Sequence, residues 1–539
     1  MTQHFPTMRN LTALLGSTGL CLLAAIACDG EGATIIGNNG GNAGQTGNVG
    51  GSDNTAQGGD GGSAPEGGSS GSENTATGGT SPGGAAGNGA GGTDPVLTDC
   101  PDHPNVTARE DRCEISSSLA APITEDLTLD AANVWLMTGP VIIGDDSAET
   151  VLTVEAGTTV FGNALSFILI QRGSKIIADG EPTAPIVFTS SRPVGERGPL
   201  DWGGLVINGR APINRPDATE GDPGSQAGEA QTGRFGGNVP ADDSGTLNYV
   251  RVEFAGRNID PENELNGIAF QGVGSETDVD FVQVHMVQDD GIEFFGGTVN
   301  VKHVVVTGAN DDSVDWTEGW VGKAQFIIAE ELNSSSNLSA DPRGIEADNI
   351  QSTTFIEAPF SDPILSNITL IGRAGAGGNT QNGMRLRRGT KGEIWNSIVY
   401  GWGACLEISE TPTVDNVNDG SLLLKNVVFN CGGAAPVGGA AASVFLDAGN
   451  ALVAGIDPVN DPANVLVLTD PVLPAPAVPA VATDPCLRGI LGCWLPAAGS
   501  PAIGIGANTP DLFFDQVTYA GAFNATDDWT AGWIQTANN

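Results

Sequence analysis

Two stretches carry the residues most able to do chemistry: "VHMVQDDGIEFFGG" from Val284 to Gly297 and "VTGANDDSVDWTEGW" from Val306 to Trp320. Each sets two aspartates ahead of an apolar, acidic, aromatic triplet, so Asp289, Asp290 and Glu293 are echoed by Asp311, Asp312 and Asp315, with Asp290 and Asp312 separated by 22 residues. Such carboxylates have three uses. Two of them held about 6.5–9.5 Å apart, one kept protonated, perform inverting hydrolysis of a glycosidic bond. Several together hold Ca²⁺, which takes about six to eight oxygens. Aspartates before a strand also stop a turn by hydrogen-bonding backbone. A 22-residue echo favours the turn of a repeating coil, then a metal site, then catalysis.

The elements that would position these residues are short β runs. One class opens on a small or polar residue followed by an apolar-x-apolar triplet: "NGIAF" at Asn266, "DGIEF" at Asp290, "DSVDW" at Asp312, "RGIEA" at Arg343, "NGMRL" at Asn382 and "ACLEI" at Ala404. A second class lies between them: "NYVRV" at Asn248, "DFVQV" at Asp280, "KHVVV" at Lys302, "NITLI" at Asn367, "NSIVY" at Asn396 and "NVVFN" at Asn426. Two strand classes alternating about every 22 to 30 residues describe a parallel β-solenoid. Strand periodicity then turns Ile292, Phe294, Val314 and Trp316 inward, and lines up Glu293, Asp315, Glu346, Arg385 and Glu407 as an outward ladder facing solvent. Between the strands no helical window of useful length is visible.

The remainder of the chain reads as delivery and closure. Arg9 and the apolar run Leu11 to Ala27 form a secretory signal over residues 1–27, too short to be a comfortable membrane span. Residues 28–99 are rich in Gly, Ser and Asn, and from Asp29 to Asp99 hold no Lys, Arg or aromatic residue, which predicts a disordered tether with a reach of about 45 Å. The β-solenoid occupies 100–435, and 436–539 is an irregular segment ending in a cap over the last coil, which would otherwise expose its edge. Beyond Cys21 and Cys28, an even set remains: Cys100, Cys113, Cys405, Cys431, Cys486 and Cys493. In an oxidising compartment this suggests three disulfides, with neighbour pairing the simplest connectivity. A formal charge of −42 argues against nucleic acid as a partner and permits cations.

Two resemblances sharpen these readings. Ala25 to Cys28 resembles the lipobox of bacterial lipoproteins, which implies that Cys28 is lipidated and anchors an exported protein to the cell envelope, with the outer membrane and surface exposure expected; cleavage by an ordinary signal peptidase is the alternative. The stretches "VLTVEAGTTVFG", "IVFTSSRPVGERGPLDWGGLVINGRAPIN", "GGNVPADDSGTLNYVRVEFAG", "ELNGIAFQGVGSETDVDFVQVHMVQDDGIEFFGGTVNVKHVVVTGANDDSVDW" and "FFDQVTYAGAFNATDDWTAGW" resemble a group of secreted bacterial right-handed parallel β-helix proteins, pectin-lyase-like in fold and mostly of unassigned activity. The fold class implied is all-β.

Enzymes of this fold give a test of the site. Polygalacturonases combine N-T-D, D-D, G-H-G and R-I-K elements; here "NDDSV" from Asn310 matches a fragment of the D-D element alone, and none of His4, His103, His285 and His303 lies between glycines. A polysaccharide lyase would hold Ca²⁺ on Asp289, Asp290, Glu293, Asp311, Asp312 and Asp315, with Arg385, Arg387 or Arg388 as base. The competing structural reading makes the aspartates turn caps acting through their own backbone and the arginines an offset to the acidic ladder. The polar insertion Arg215 to Gly245 adds Asp242 and Asp243 as cation candidates, and Trp202, Trp316, Trp320, Trp395 and Trp402 either stack on sugar or fill the coil. The expectation is a lipid-anchored surface β-helix that recognises polysaccharide or matrix or plays a structural part there. The alternatives are a Ca²⁺-dependent lyase or glycoside hydrolase, and an inert surface-layer component.

Overall fold

The computed structural model describes residues 100–535, apart from 218–221, 261–262, 333–341, 373–381, 432–436, 440–464, 468–493, 497–499, 501, 510 and 525. The signal, the tether, Cys28 and the Cys486 and Cys493 pair lie outside the described residues.

The apolar-x-apolar triplets build one parallel sheet. Val141–Ile143, Ile168–Ile170, Leu205–Asn208, Ile268–Gln271, Ile292–Phe295, Val314–Thr317, Ile345–Asp348, Asn382–Arg387, Ala404–Ile408 and Val437–Gly439 follow one another, each strand one coil further along. Ile292, Phe294, Val314 and Trp316 are buried inward as the period of two requires. The other strand class builds the opposing sheet, also parallel apart from its first strand: Val106–Ala108 runs antiparallel to Cys113–Ile115 and closes the N-terminal edge. A single apolar core runs through the described coils from Cys113 to Phe429. This is the parallel β-helix that the alternation of strand classes predicts.

Five long strands of the opposing sheet, beginning with Gly245–Glu253 and ending with Ile364–Ile371, bend in mid-course. The bend falls at a residue of positive φ on each coil: Tyr249, Phe281, His303, Phe326 and Asn367, continued by Asn396 and Asn426, each in the break between two short strands. These side chains stack outside the core, with ring centroids 4.4 Å apart for Tyr249 and Phe281, 4.3 Å for Phe281 and His303, and 4.9 Å for His303 and Phe326.

The C-terminal cap packs along this flank. Between Trp494 and Gln535, Ala507 accepts from Asn396, Asp515 from Gln325, Tyr519 from Asn367 and Trp533 from Arg251, each through its backbone carbonyl, so the segment lies across the coils that hold Arg251 to Asn396. Trp529 and Trp533 set their edges against the ring stack. The described part of the terminal segment thus covers an aromatic row on the flank of the coils. Two bridges form, Cys100–Cys113 and Cys405–Cys431.

One element differs from the sequence reading. Thr411–Asp419 is an α-helix, started by Pro412 and stopped by Gly420 in the left-handed region. Its nine residues hold only Val414 and Val417 as apolar anchors, too few for a helical period to stand out. Among the described residues no helix is long and apolar enough to cross a membrane.

Candidate functional site

Asp290 and Asp312 sit at the turn into their strands, and Gly291, which follows Asp290, has little room. A Cβ on Gly291 would lie 2.4 Å from the Val306 side chain and 2.5 Å from the Ser313 carbonyl, so glycine is required for the coils to close. The backbone continues the ladder through the turn: Gly267 N–H donates to the Asp290 carbonyl and Gly291 N–H to that of Asp312, both at 2.9 Å. The side chains join in. Asp290 Oδ1 accepts the Asp312 N–H at 2.9 Å, Asn266 Oδ1 accepts the Asp290 N–H at 3.4 Å, and Asn266 Nδ2 donates to Glu293 at 2.6 Å. Asp290 therefore caps the neighbouring coil and not its own backbone, because stacked turns bring the next coil's amide closer than the local one, whereas Asp312 Oδ1 is buried without a hydrogen-bond partner.

The outward row is in register: Glu293 pairs with Asp315, Asp315 with Glu346, Glu346 with Arg385, and Arg385 with Glu407. On the preceding coils the same row is apolar, Ile142, Leu169, Val206 and Ala269, and packs with Phe235 of the long insertion and Ile213 just before it. That insertion is not purely polar: it forms an antiparallel pair, Ser225–Ala227 with Arg234–Gly236, and docks through Phe235. The row is not a solvated face either. Glu293 is 9 % exposed, Glu346 6 %, Asp290 6 % and Asp312 3 %.

Burial of so many acids has an electrostatic consequence. The six expected cation ligands do converge, joined by Glu346: Asp289, Asp290 and Asp311 form one group, Asp290, Glu293 and Asp315 a second, and Asp312, Asp315 and Glu346 a third, with the oxygens of each within 4.8 Å of one another. Two ligands on opposite sides of a Ca²⁺ at about 2.4 Å each are separated by about that distance. Burial pushes the carboxyls of Asp289, Asp290, Glu293, Asp312 and Asp315 well above the ordinary range, and the neighbouring acids push them further.

The two ends of the row differ in compensation. At the Glu346 end, Arg343 Nη1 lies 2.8 Å from Glu346, Arg387 joins Glu346 to Asp348, Arg388 Nη1 lies 2.7 Å from Asp348, and Arg385 Nε lies 3.4 Å from Glu407. Asp348 and Glu346 hold the Arg387 guanidinium further protonated than usual despite its burial. At the other end, no Lys or Arg among the described residues forms an ion pair with Asp290, Glu293 or Asp315, and Asp315 Oδ1 is buried without a hydrogen-bond partner. Three carboxylates around one point without a direct ion pair, Asp315 feeling Arg387 only at longer range, suit a divalent cation, which would supply charge and engage the orphaned oxygen.

Other expected residues lie elsewhere. Asp243 pairs with Lys175 at 2.9 Å and Asp242 accepts from Ser244, so neither joins the row. Trp202, Trp316, Trp320, Trp395 and Trp402 are all buried and fill the structure, with no platform for sugar among them. The sequence reading missed Glu229 and Glu318, which the insertion and the coil bring beside the row. Glu318 is pushed up to about 8 by burial first, and Glu229 to about 7 by burial and then by Glu264. No period marks them, since one lies on an insertion and the other follows its strand.

Neither the curated proteins nor the solved structures give a match to the chain. The family model described as a pectate-lyase-like beta helix domain matches residues 121–442, the span that holds both sheets and the carboxylate row. By that match over more than half its length, and by a fold of stacked parallel coils that agrees with it, the chain belongs to the pectate-lyase-like beta helix family.

Proposed function

We propose that this protein is an exported, lipid-anchored surface β-helix that binds polysaccharide, with a divalent cation, Ca²⁺ by the chemistry of its ligands, held by Asp290, Glu293 and Asp315. One observation carries the reading: three converging carboxylates have no basic partner while the arginines beside them are already paired. A cation there would neutralise the row and leave a coordination position for a sugar oxygen. The pairing of the arginines also favours binding over cleavage. A lyase base must give up a proton, and Arg387 is held the other way by Asp348 and Glu346. Anchoring through Cys28 and display at the cell surface rest on the N-terminal sequence, and nucleic acid is disfavoured as a partner by the acidic charge.

The test is calcium titration by calorimetry, with Asp290→Asn/Asp315→Asn as control, followed by polysaccharide binding with and without EDTA. Calcium binding lost in the variant, and retention of polysaccharide that needs calcium, are expected. Calcium binding unchanged by the double substitution would remove the site. Calcium-dependent release of unsaturated sugar ends would replace the binding reading with a lyase.

A further inference from the structure

A second charged feature lies on coils that precede the carboxylate row. Where the turns after Val141–Ile143, Ile168–Ile170 and Leu205–Asn208 meet the insertion, an open cleft is lined by Arg172, Arg210, Arg234, Asp146, Asp222 and the backbone of 236–239. In a chain with 64 acidic and 22 basic residues, three arginines around one cleft with two aspartates is a local reversal of charge.

Part of that charge pins the insertion to the coils. Arg172 reaches Asp146, Asp222 and the Gly236 carbonyl, while Arg234 reaches Asp217 and Asp222. The donors left over all point to one kind of ligand. Arg172 is 7 % exposed and its Nε is buried without a partner. Arg210 uses Nη2 on Asp146 at 2.7 Å, and its Nε and Nη1 find no acceptor among the described residues. Its guanidinium lies over Gly173, where a Cβ would come within 2.8 Å of Nη2, so a glycine there keeps the fork in place. The amides of Gly237 and Asn238, on the same cleft, also find no acceptor among the described residues.

We infer that this cleft is an oxyanion-binding site, in which the free Arg210 N–H donors and the Gly237 and Asn238 amides receive a carboxylate or sulfate group. The bidentate edges of the guanidinium both include the Nη2 that Asp146 holds, so Arg210 offers such a group single charged donors from Nε and Nη1, and the adjacent backbone N–H groups complete a concave donor set. On a polysaccharide the group would be a uronate or a sulfate ester. The site does not depend on a cation at the row, so the two readings fail separately.

The experiment is calorimetric titration of the protein in EDTA with sodium glucuronate and, separately, sodium sulfate, each against sodium chloride at matched ionic strength. Saturable binding is expected, weakened about tenfold in Arg210→Ala and unchanged in Asp290→Asn/Asp315→Asn. Arg210 is 41 % exposed at its side chain, so the variant should fold, and circular dichroism checks that it does. Arg210→Lys, which keeps the charge and loses the fork, should also bind more weakly. Preference for glucuronate identifies a carboxylate ligand, and preference for sulfate a sulfate ester. Binding of neither beyond chloride, or equal binding by Arg210→Ala, overturns the site.

Discussion

Asp290 Oδ1 accepts the backbone N–H of Asp312 at 2.9 Å, joining two residues that stand one coil apart. The bond gives Asp290 two duties. It holds the register of neighbouring turns, and it brings a carboxylate to the row that Glu293 and Asp315 share. The duties can be separated, because an amide oxygen can replace the first but not the charge of the second.

Asp290→Asn should therefore be more stable than Asp290→Ala in EDTA, by about 1–2 kcal/mol, since the alanine leaves the buried Asp312 N–H without its acceptor. Urea unfolding of both variants measures the difference. Equal stabilities would mean that the cross-coil bond contributes nothing to the fold.

The pH dependence follows from acids whose folded-state affinity for protons is raised. For Glu318, pushed up to about 8, and Glu229, pushed up to about 7, the native state binds protons that the unfolded chain does not until the pH falls to ordinary carboxylate values near 4.5. Stability in EDTA should thus rise as the pH falls from about 8 towards 4.5, and change little through these groups below that. Calcium at the row competes with protons and should flatten this slope. Thermal melts across that range, with and without calcium, read both effects.

Removing Arg387 should be costly. Its guanidinium joins Glu346 to Asp348, and Arg387→Ala leaves them with Arg343 and Arg388, an expected loss of about 1.5–3 kcal/mol near neutral pH. The loss should shrink in acid, where Glu346, its carboxyl raised by burial, takes up a proton. Denaturant unfolding at two pH values tests the size and the trend together.

Trp533→Ala should loosen the C-terminal segment from the flank. Trp533 is 1 % exposed and sets its edge against Tyr249 and Phe281, so a loss of about 3–5 kcal/mol is expected if the segment unfolds with the coils. Limited proteolysis distinguishes the alternative: early cleavage within 494–535, with the coils intact, would mark the segment as a separate unit.

The fold was legible in the sequence because a β-helix is close to one-dimensional. Each coil must repeat the apolar-x-apolar triplet to bury its inner face, so Ile292, Val314, Ile345 and Met384 announce their own stacking. The same repetition placed Glu293, Asp315 and Glu346 in one row. Their burial was not legible, since it depends on the Phe235 insertion and on arginines from later coils, and a strand pattern carries only the side to which a residue points.

The helix Thr411–Asp419, the path of the C-terminal segment and the Arg210 cleft were decided by tertiary structure for a related reason. Each occurs once and leaves no period, the helix as a single short element and the other two by joining segments far apart in the chain. Sequence alone set the repeating coil and the residues aligned along it. Three-dimensional packing alone chose which of those acids kept a cationic partner and which three did not, because charge compensation depends on distance through space and not on spacing along the chain.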